Sequence, residues 1–139
     1  MRVFIKSFFF LTMVLIFSCE ELGSFIVNCG DCTAEEPIKA NLEIRVQPIY
    51  NSTILIKIFE GNLEDSVLYG MYTTNSTMLS QWVPLNKKYT VTATYHYEGT
   101  TYIAVDSTTP HVKFVEEQCK EPCYFVYNRK IDLRLKSLK

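Results

Sequence analysis

Apolar and polar side chains alternate at every second residue along much of this chain, most clearly in KYTVTATYHY at residues 88–97. Five side chains would point to one side of a strand there: Tyr89, Val91, Ala93, Tyr95 and Tyr97. Threonine beside aromatic residues suits a pleated, half-buried surface. The pattern therefore predicts a strand in which Val91, Ala93 and Tyr95 are buried, whereas Thr92 and Thr94 are not.

Other segments repeat this pattern, among them ANLEIRVQ and KIDLRLK, while TILIKIF is apolar on both faces except at Lys57, as expected of a central strand. Glu98-Gly99 lies between two such runs and predicts the turn of a β-hairpin. No segment has a convincing helical stripe, and the spacing leaves no room for crossover helices. The sequence thus predicts an all-β fold, an antiparallel two-sheet β-sandwich of about seven to eight strands.

The order of features from GNLEDSVLYG through WVPLNKKYTVTATY resembles the immunoglobulin-like and transthyretin-like sandwiches of bacterial envelope lipoproteins. The resemblance spans about residues 38–136 and concerns architecture, so it transfers no catalytic residues. It implies a spacer, an adhesive module or a subunit of a complex. A fold alone does not select among those roles.

The N-terminal segment combines Arg2 and Lys6 with an apolar run that ends at Cys19, as a secretory signal does. The run is shorter than the roughly 20 apolar residues of a membrane-spanning helix. IFSC at residues 16–19 resembles the lipobox of bacterial lipoproteins. This resemblance implies cleavage before Cys19 and acylation of that cysteine, and several acyl chains anchor a protein far more firmly than one.

Three parts of the chain follow from these features. We expect a signal peptide at 1–18, a lipidated acidic tether with the first cysteine cluster at 19–37, and a β-sandwich domain at 38–139. The expected location is the bacterial cell envelope, at the outer membrane, with the membrane itself as a partner. Without the signal the chain keeps 12 basic and 15 acidic residues, a net charge of about −3, which does not suit binding to nucleic acid.

Four cysteines remain once Cys19 is set aside: Cys29, Cys32, Cys119 and Cys123. Paired cysteines can bind zinc, but the gap between these pairs is far longer than zinc sites usually have, and an exported location favours disulfides. Three pairings are possible. On the chain-entropy model a bridge between clusters contributes about 4.6 kcal/mol, against about 2 kcal/mol within one cluster. Two bridges between the clusters are favoured, with zinc as the alternative.

Candidates for catalysis are few. His96 and His111 lie in no recognisable nucleophile or metal motif, so we expect no catalytic residues, no enzymatic activity and no cofactor. An exposed aromatic patch could instead stack on sugar rings, and its candidates are Tyr69, Tyr72 and Trp82.

Two serines follow aspartates, in DSV at Ser66 and in DST at Ser107. These sequences resemble the short O-glycosylation sequon of some envelope-dwelling bacteria, which implies glycan on both serines, in loops. The alternative is that each Asp-Ser pair begins a turn by bonding its own backbone.

Two classes of function stay open at this point. The first is a membrane-anchored, non-catalytic interaction or structural module with a protein or carbohydrate partner. The second is a lipoprotein that binds carbohydrate or another small ligand through exposed aromatic residues.

Overall fold

A computed structural model describes residues 27–50 and 52–136. Cys19, the predicted signal peptide and the start of the tether lie outside these residues. Helical structure in the described ranges consists of two three-residue 3₁₀ turns, Cys29–Asp31 and Leu63–Asp65. None of the helices described there is long and apolar enough to cross a membrane.

Ten strands make up nearly all of the regular structure. In chain order they are β1 (Cys32–Thr33), β2 (Lys39–Arg45), β3 (Ile54–Glu60), β4 (Leu68–Thr74), β5 (Met78–Pro84), β6 (Tyr89–Tyr97), β7 (Thr100–Thr108), β8 (His111–Val115), β9 (Cys123–Tyr127) and β10 (Lys130–Asp132).

These strands form three sheets with the orders β4-β3-β6-β7, β10-β2-β5 and β1-β9-β8. The first two pack face to face around one core, which confirms the all-β sandwich. Three details of the prediction were wrong, and one is the strand count, since the structure has ten strands rather than seven to eight. A third sheet exists, and β10 runs parallel to β2 whereas the other paired strands are antiparallel. Strand β1 has only two residues, too few to produce a detectable alternation, whereas β10 lies within KIDLRLK, whose alternation predicted a strand.

The core lies between the inner faces of the two larger sheets. Its fully buried members include Leu42 and Ile44 from β2, Ile56 and Ile58 from β3, and, from β6, the predicted Val91, Ala93 and Tyr95. Burying one such aliphatic side chain contributes about 1.5–3 kcal/mol. Burial of these residues confirms the strand register predicted from the alternation.

Two buried tyrosines add polar contacts across the sandwich. The Tyr95 hydroxyl donates to the carbonyl of Leu133 at 2.8 Å, and the Tyr89 hydroxyl donates to that of Pro84 at 3.1 Å. Burial raises the pKa of Tyr89 to about 12 and raises the pKa of Tyr95 in the same direction. Both hydroxyls therefore remain neutral donors at physiological pH, and each satisfies a backbone carbonyl.

The prediction that Thr92 is exposed was wrong, since only 8% of this residue is accessible. Thr92 faces away from the core, but β6 is a central strand, and Lys57 and Val105 lie directly beside Thr92 on the neighbouring strands. The longer side chains on either side shield the shorter threonine. Thr94, the other threonine in the prediction, is partly exposed.

The hairpin turn predicted at Glu98-Gly99 is present between β6 and β7. Both residues have positive φ angles, 49° for Glu98 and 75° for Gly99. Positive φ at both central positions is the feature of a type I′ turn, whose twist matches that of the flanking strands. Glycine at the second position adopts this conformation without steric cost.

A substitution pair on β3 tests the sandwich. Ile56→Ala should lower the free energy of unfolding by about 2–5 kcal/mol, because it removes fully buried methyl groups and leaves a cavity. Leu55→Ala, next in the chain but on the opposite face, should cost much less. Denaturant unfolding of both variants measures the difference, and equal losses would contradict the assigned faces of β3.

Candidate functional site: a disulfide staple and an apolar sheet face

Two disulfide bridges join the cysteine clusters: Cys29 bonds to Cys119, and Cys32 bonds to Cys123. The bridged Cα atoms are 5.7 Å and 5.6 Å apart, within the usual range for disulfides. The prediction that the bridges run between the clusters is confirmed. The bridges hold β1 beside β9, and we call residues 29–33 with these two bonds the staple.

The sulfurs of the two bridges are close neighbours. The Sγ atoms of Cys32, Cys119 and Cys123 all lie within 4.8 Å of one another. Exposure decreases across the cluster, since Cys29 is exposed, Cys32 and Cys119 are partly buried, and Cys123 is only 7% accessible. In the bridged state these sulfurs are not thiolates, which zinc would require as ligands.

Polar contacts also hold the staple against the sandwich. Arg129 forms ion pairs with Asp31 at 3.3 Å and with Glu43 on β2 at 3.0 Å, and Asn28 donates to Asp31 at 3.2 Å. A cleft of about 480 Å³ lies beside these groups. Arg129 in this cleft is already paired with two carboxylates, and Lys130 also lines it.

The second candidate site is the outward face of the sheet β4-β3-β6-β7. The strand registers place fourteen side chains on it. We call this the outer sheet face, and it consists of Leu55, Lys57, Phe59, Leu68, Met71, Thr73, Thr90, Thr92, Thr94, His96, Thr101, Ile103, Val105 and Ser107.

The outer sheet face is unusually apolar. Ile103 is 64% accessible and Met71 is 59% accessible, and Leu68 and Val105 are also exposed. Lys57 and His96 are the basic side chains of the fourteen, and Lys57 lies between Met71 and Thr92. The solvent-facing side of an antiparallel sheet is ordinarily polar. Sequence reasoning missed this face, although the apolar outward positions of TILIKIF and TYIAVD were a signal.

The three aromatic residues singled out in the sequence do not form one row. Tyr69 and Trp82 meet where the edge strands β4 and β5 approach each other, and the Tyr69 hydroxyl donates to the Trp82 carbonyl at 3.1 Å. The Tyr69 ring packs edge-on against Tyr89, whereas Trp82 is 64% accessible. Tyr72 is partly buried against the core. The exposed pair is therefore Tyr69 and Trp82.

The two histidines lie in separate places with neutral partners. His96 Nδ1 is 3.0 Å from the Thr101 hydroxyl oxygen, and His111 Nδ1 is 2.9 Å from the Asn86 amide oxygen. Neither of these partners is a carboxylate, which is the group that orients the histidine in a catalytic triad.

The two candidate glycosylation serines are both exposed. Ser66 ends the 3₁₀ turn in a left-handed conformation, with a φ angle of 54°. Ser107 lies within β7 rather than in a loop, and its backbone N–H donates to the Asp106 carboxylate at 2.8 Å. Asp65 accepts from the backbone N–H of Asn62 at 3.0 Å. Asp65 thus bonds backbone in a turn, as the turn interpretation expects, whereas Asp106 bonds backbone inside a strand where no turn begins.

Comparisons with protein-family models, curated proteins and solved structures gave no match to this chain.

The staple should stabilise the fold without creating it. Excess reductant should lower the free energy of unfolding by up to several kcal/mol for each bridge, since each closes a loop of about 90 residues. The circular dichroism of the sandwich should persist at room temperature, and a chelator should change nothing. Thermal unfolding with each additive measures these effects. Four free thiols with one bound zinc per chain would contradict the disulfide assignment.

Proposed function

We propose that this protein is a lipid-anchored, non-catalytic interaction module of the bacterial cell envelope. The lipobox-like IFSC segment supports the anchor and the location at the outer membrane. The outer sheet face carries the proposal of interaction, because it presents apolar side chains to solvent on a rigid sheet.

A protein surface is the partner that best suits this face. Large exposed apolar patches on soluble domains mark interaction sites, and the buried centre of a protein interface is poor in charged residues. The outer sheet face has this composition, with one lysine and one histidine among six apolar side chains, five threonines and a serine. Its central strands β3 and β6 are hydrogen bonded on both sides. A partner would therefore meet a preformed surface, which reduces the entropy lost on binding.

Carbohydrate binding is the second candidate, and the exposed ring of Trp82 favours it. Stacking on a sugar needs an accessible flat face, which Trp82 offers with Tyr69 beside it. One exposed indole is a smaller platform than the three-residue row expected from the sequence. The interaction module is therefore the stronger proposal.

The anchor is tested by metabolic labelling with a fatty acid. The wild-type protein should take up the label and fractionate with membranes, because its acyl chains enter the bilayer. Cys19→Ser should remain unlabelled and be unprocessed or released. An unlabelled wild-type protein would refute the anchor.

The interaction face is tested by photo-crosslinking in the native cells. A photoreactive residue at position 103, on the outer sheet face, should give a discrete adduct with another protein, which mass spectrometry identifies. The same photoreactive residue in place of Ser80, which is exposed on β5 of the other sheet, should not give this adduct. Combining Met71→Lys with the photoreactive residue at position 103 should reduce adduct formation by about tenfold. The partner would then have to bury a second charge beside that of Lys57. Equal adducts from both positions would contradict the proposal.

A further inference from the structure

The two bridges of the staple are arranged so that opening one places a thiolate beside the other. Thiol–disulfide exchange requires a thiolate to reach a sulfur of an intact disulfide. Cys119 belongs to the first bridge, and its Sγ lies within 4.8 Å of both sulfurs of the second bridge, those of Cys32 and Cys123. The Cys119 sulfur therefore needs to move only a short distance to attack the second bridge.

Exposure determines which sulfur reacts first. Cys29 is exposed and lies in the 3₁₀ turn at the edge of the molecule, whereas its partner Cys119 is partly buried. Access is one of the factors that select the attacked sulfur, so an external thiolate reaches Cys29. The sulfur that then leaves is Cys119, which is the one adjacent to the second bridge.

We propose that these four cysteines form a thiol–disulfide exchange site whose substrate is a dithiol. One thiolate of the dithiol attacks Sγ of Cys29 and forms a mixed disulfide, while the Cys29–Cys119 bond breaks and its electron pair leaves on Cys119. The Cys119 thiolate attacks Sγ of Cys123. The Cys119–Cys123 bond forms, the Cys32–Cys123 bond breaks, and Cys32 leaves as a thiolate.

The dithiol completes the reaction. Its second thiolate attacks its own sulfur in the mixed disulfide, which forms a cyclic disulfide and releases Cys29. The two protons lost by the dithiol end on Cys29 and Cys32. The dithiol is oxidised by two electrons, and the chain is reduced by two electrons while keeping one bridge, Cys119–Cys123.

Burial explains why Cys119 attacks Cys123 rather than Cys32. The sulfur that is not attacked must leave as a thiolate, and burial disfavours the charged form of a thiol. Cys32 is the more accessible of the two, and Cys123 is nearly buried. Cys119 and Cys123 also lie in one short segment, separated by three residues, so the new bridge does not involve residues 29–33.

The exchange would free the staple from the rest of the protein. Residues 29–33 would keep only the two-residue pairing of β1 with β9 and polar contacts such as Asp31–Arg129, which are worth little at the surface. If Cys19 is anchored, as the proposed function holds, the linker to the sandwich would lengthen from about 10 to about 20 residues. Its maximum reach would rise from about 35 Å to about 70 Å. The exchange chemistry itself does not depend on the anchor.

The experiment uses the full chain with Cys19→Ser, so that no other thiol takes part. It is treated with less than one equivalent of dithiothreitol, quenched with acid, alkylated and mapped by mass spectrometry without reduction. The species that has gained two electrons should contain linked Cys119–Cys123 and alkylated Cys29 and Cys32. Retention of the Cys32–Cys123 link with alkylated Cys29 and Cys119 would overturn the proposal, as would retention of Cys29–Cys119.

Two matched variants isolate the role of Cys119 on this background. In Cys119→Ser the attacking sulfur is missing, so the Cys32–Cys123 bridge should open about tenfold or more slowly under the same dithiol. In Cys29→Ser the Cys119 thiol is free from the start, so the isolated protein should contain Cys119–Cys123 and a free Cys32 without added dithiol. If the Cys32–Cys123 bridge opened in Cys119→Ser as fast as in the parent chain, the exchange would be refuted. An intact Cys32–Cys123 bridge in Cys29→Ser would refute it as well. Failure of the anchor or of the crosslinking test would leave these results unchanged.

Discussion

The close packing of two pleated sheets is the constraint on which the rest of this structure depends. Side chains on a strand point alternately to opposite faces, so placing Ile54, Ile56 and Ile58 in the core forces Leu55, Lys57 and Phe59 outward. A one-residue slip of β3 would bury the lysine and expose three isoleucines. The apolar outer sheet face is therefore fixed by the same register that builds the core, and rearrangement of β3 could not hide it.

Covalent bonds fix β1 in the remaining sheet, where β8 and β9 pair over five residues but β1 pairs over only two. Strand β1 has two residues paired with β9, and a strand so short contributes little by itself. The two disulfides close loops of 90 and 91 residues, which removes much conformational freedom from the unfolded chain. Arg129 then joins the staple to β2 through Asp31 and Glu43. The position of residues 29–33 thus depends mainly on the two disulfides.

The sequence was sufficient for features that repeat locally and insufficient for those that depend on register between distant strands. Alternation predicted the buried side of β6, and loop entropy favoured the bridges that form. Burial of Thr92 could not be predicted, because it depends on Lys57 and Val105, which pleated pairing brings alongside from two other strands. The parallel β10–β2 pair and the close approach of three sulfurs likewise arise from tertiary structure. The outer sheet face was visible strand by strand but not as one surface.

The staple and the outer sheet face occupy separate parts of the fold, and this separation has a mechanical consequence. The core is built from β2, β3, β5, β6 and the segment around β10, and the stapled sheet adds only a partly buried contact through Val126. Opening the bridges removes no side chain from that core. The sandwich, and with it the register that presents Ile103 and Met71, therefore keeps its buried core and its strand pairing when the bridges open, although its free energy of unfolding falls. Opening the disulfides can therefore alter how residues 29–33 are attached to the sandwich, while the outer sheet face keeps its shape.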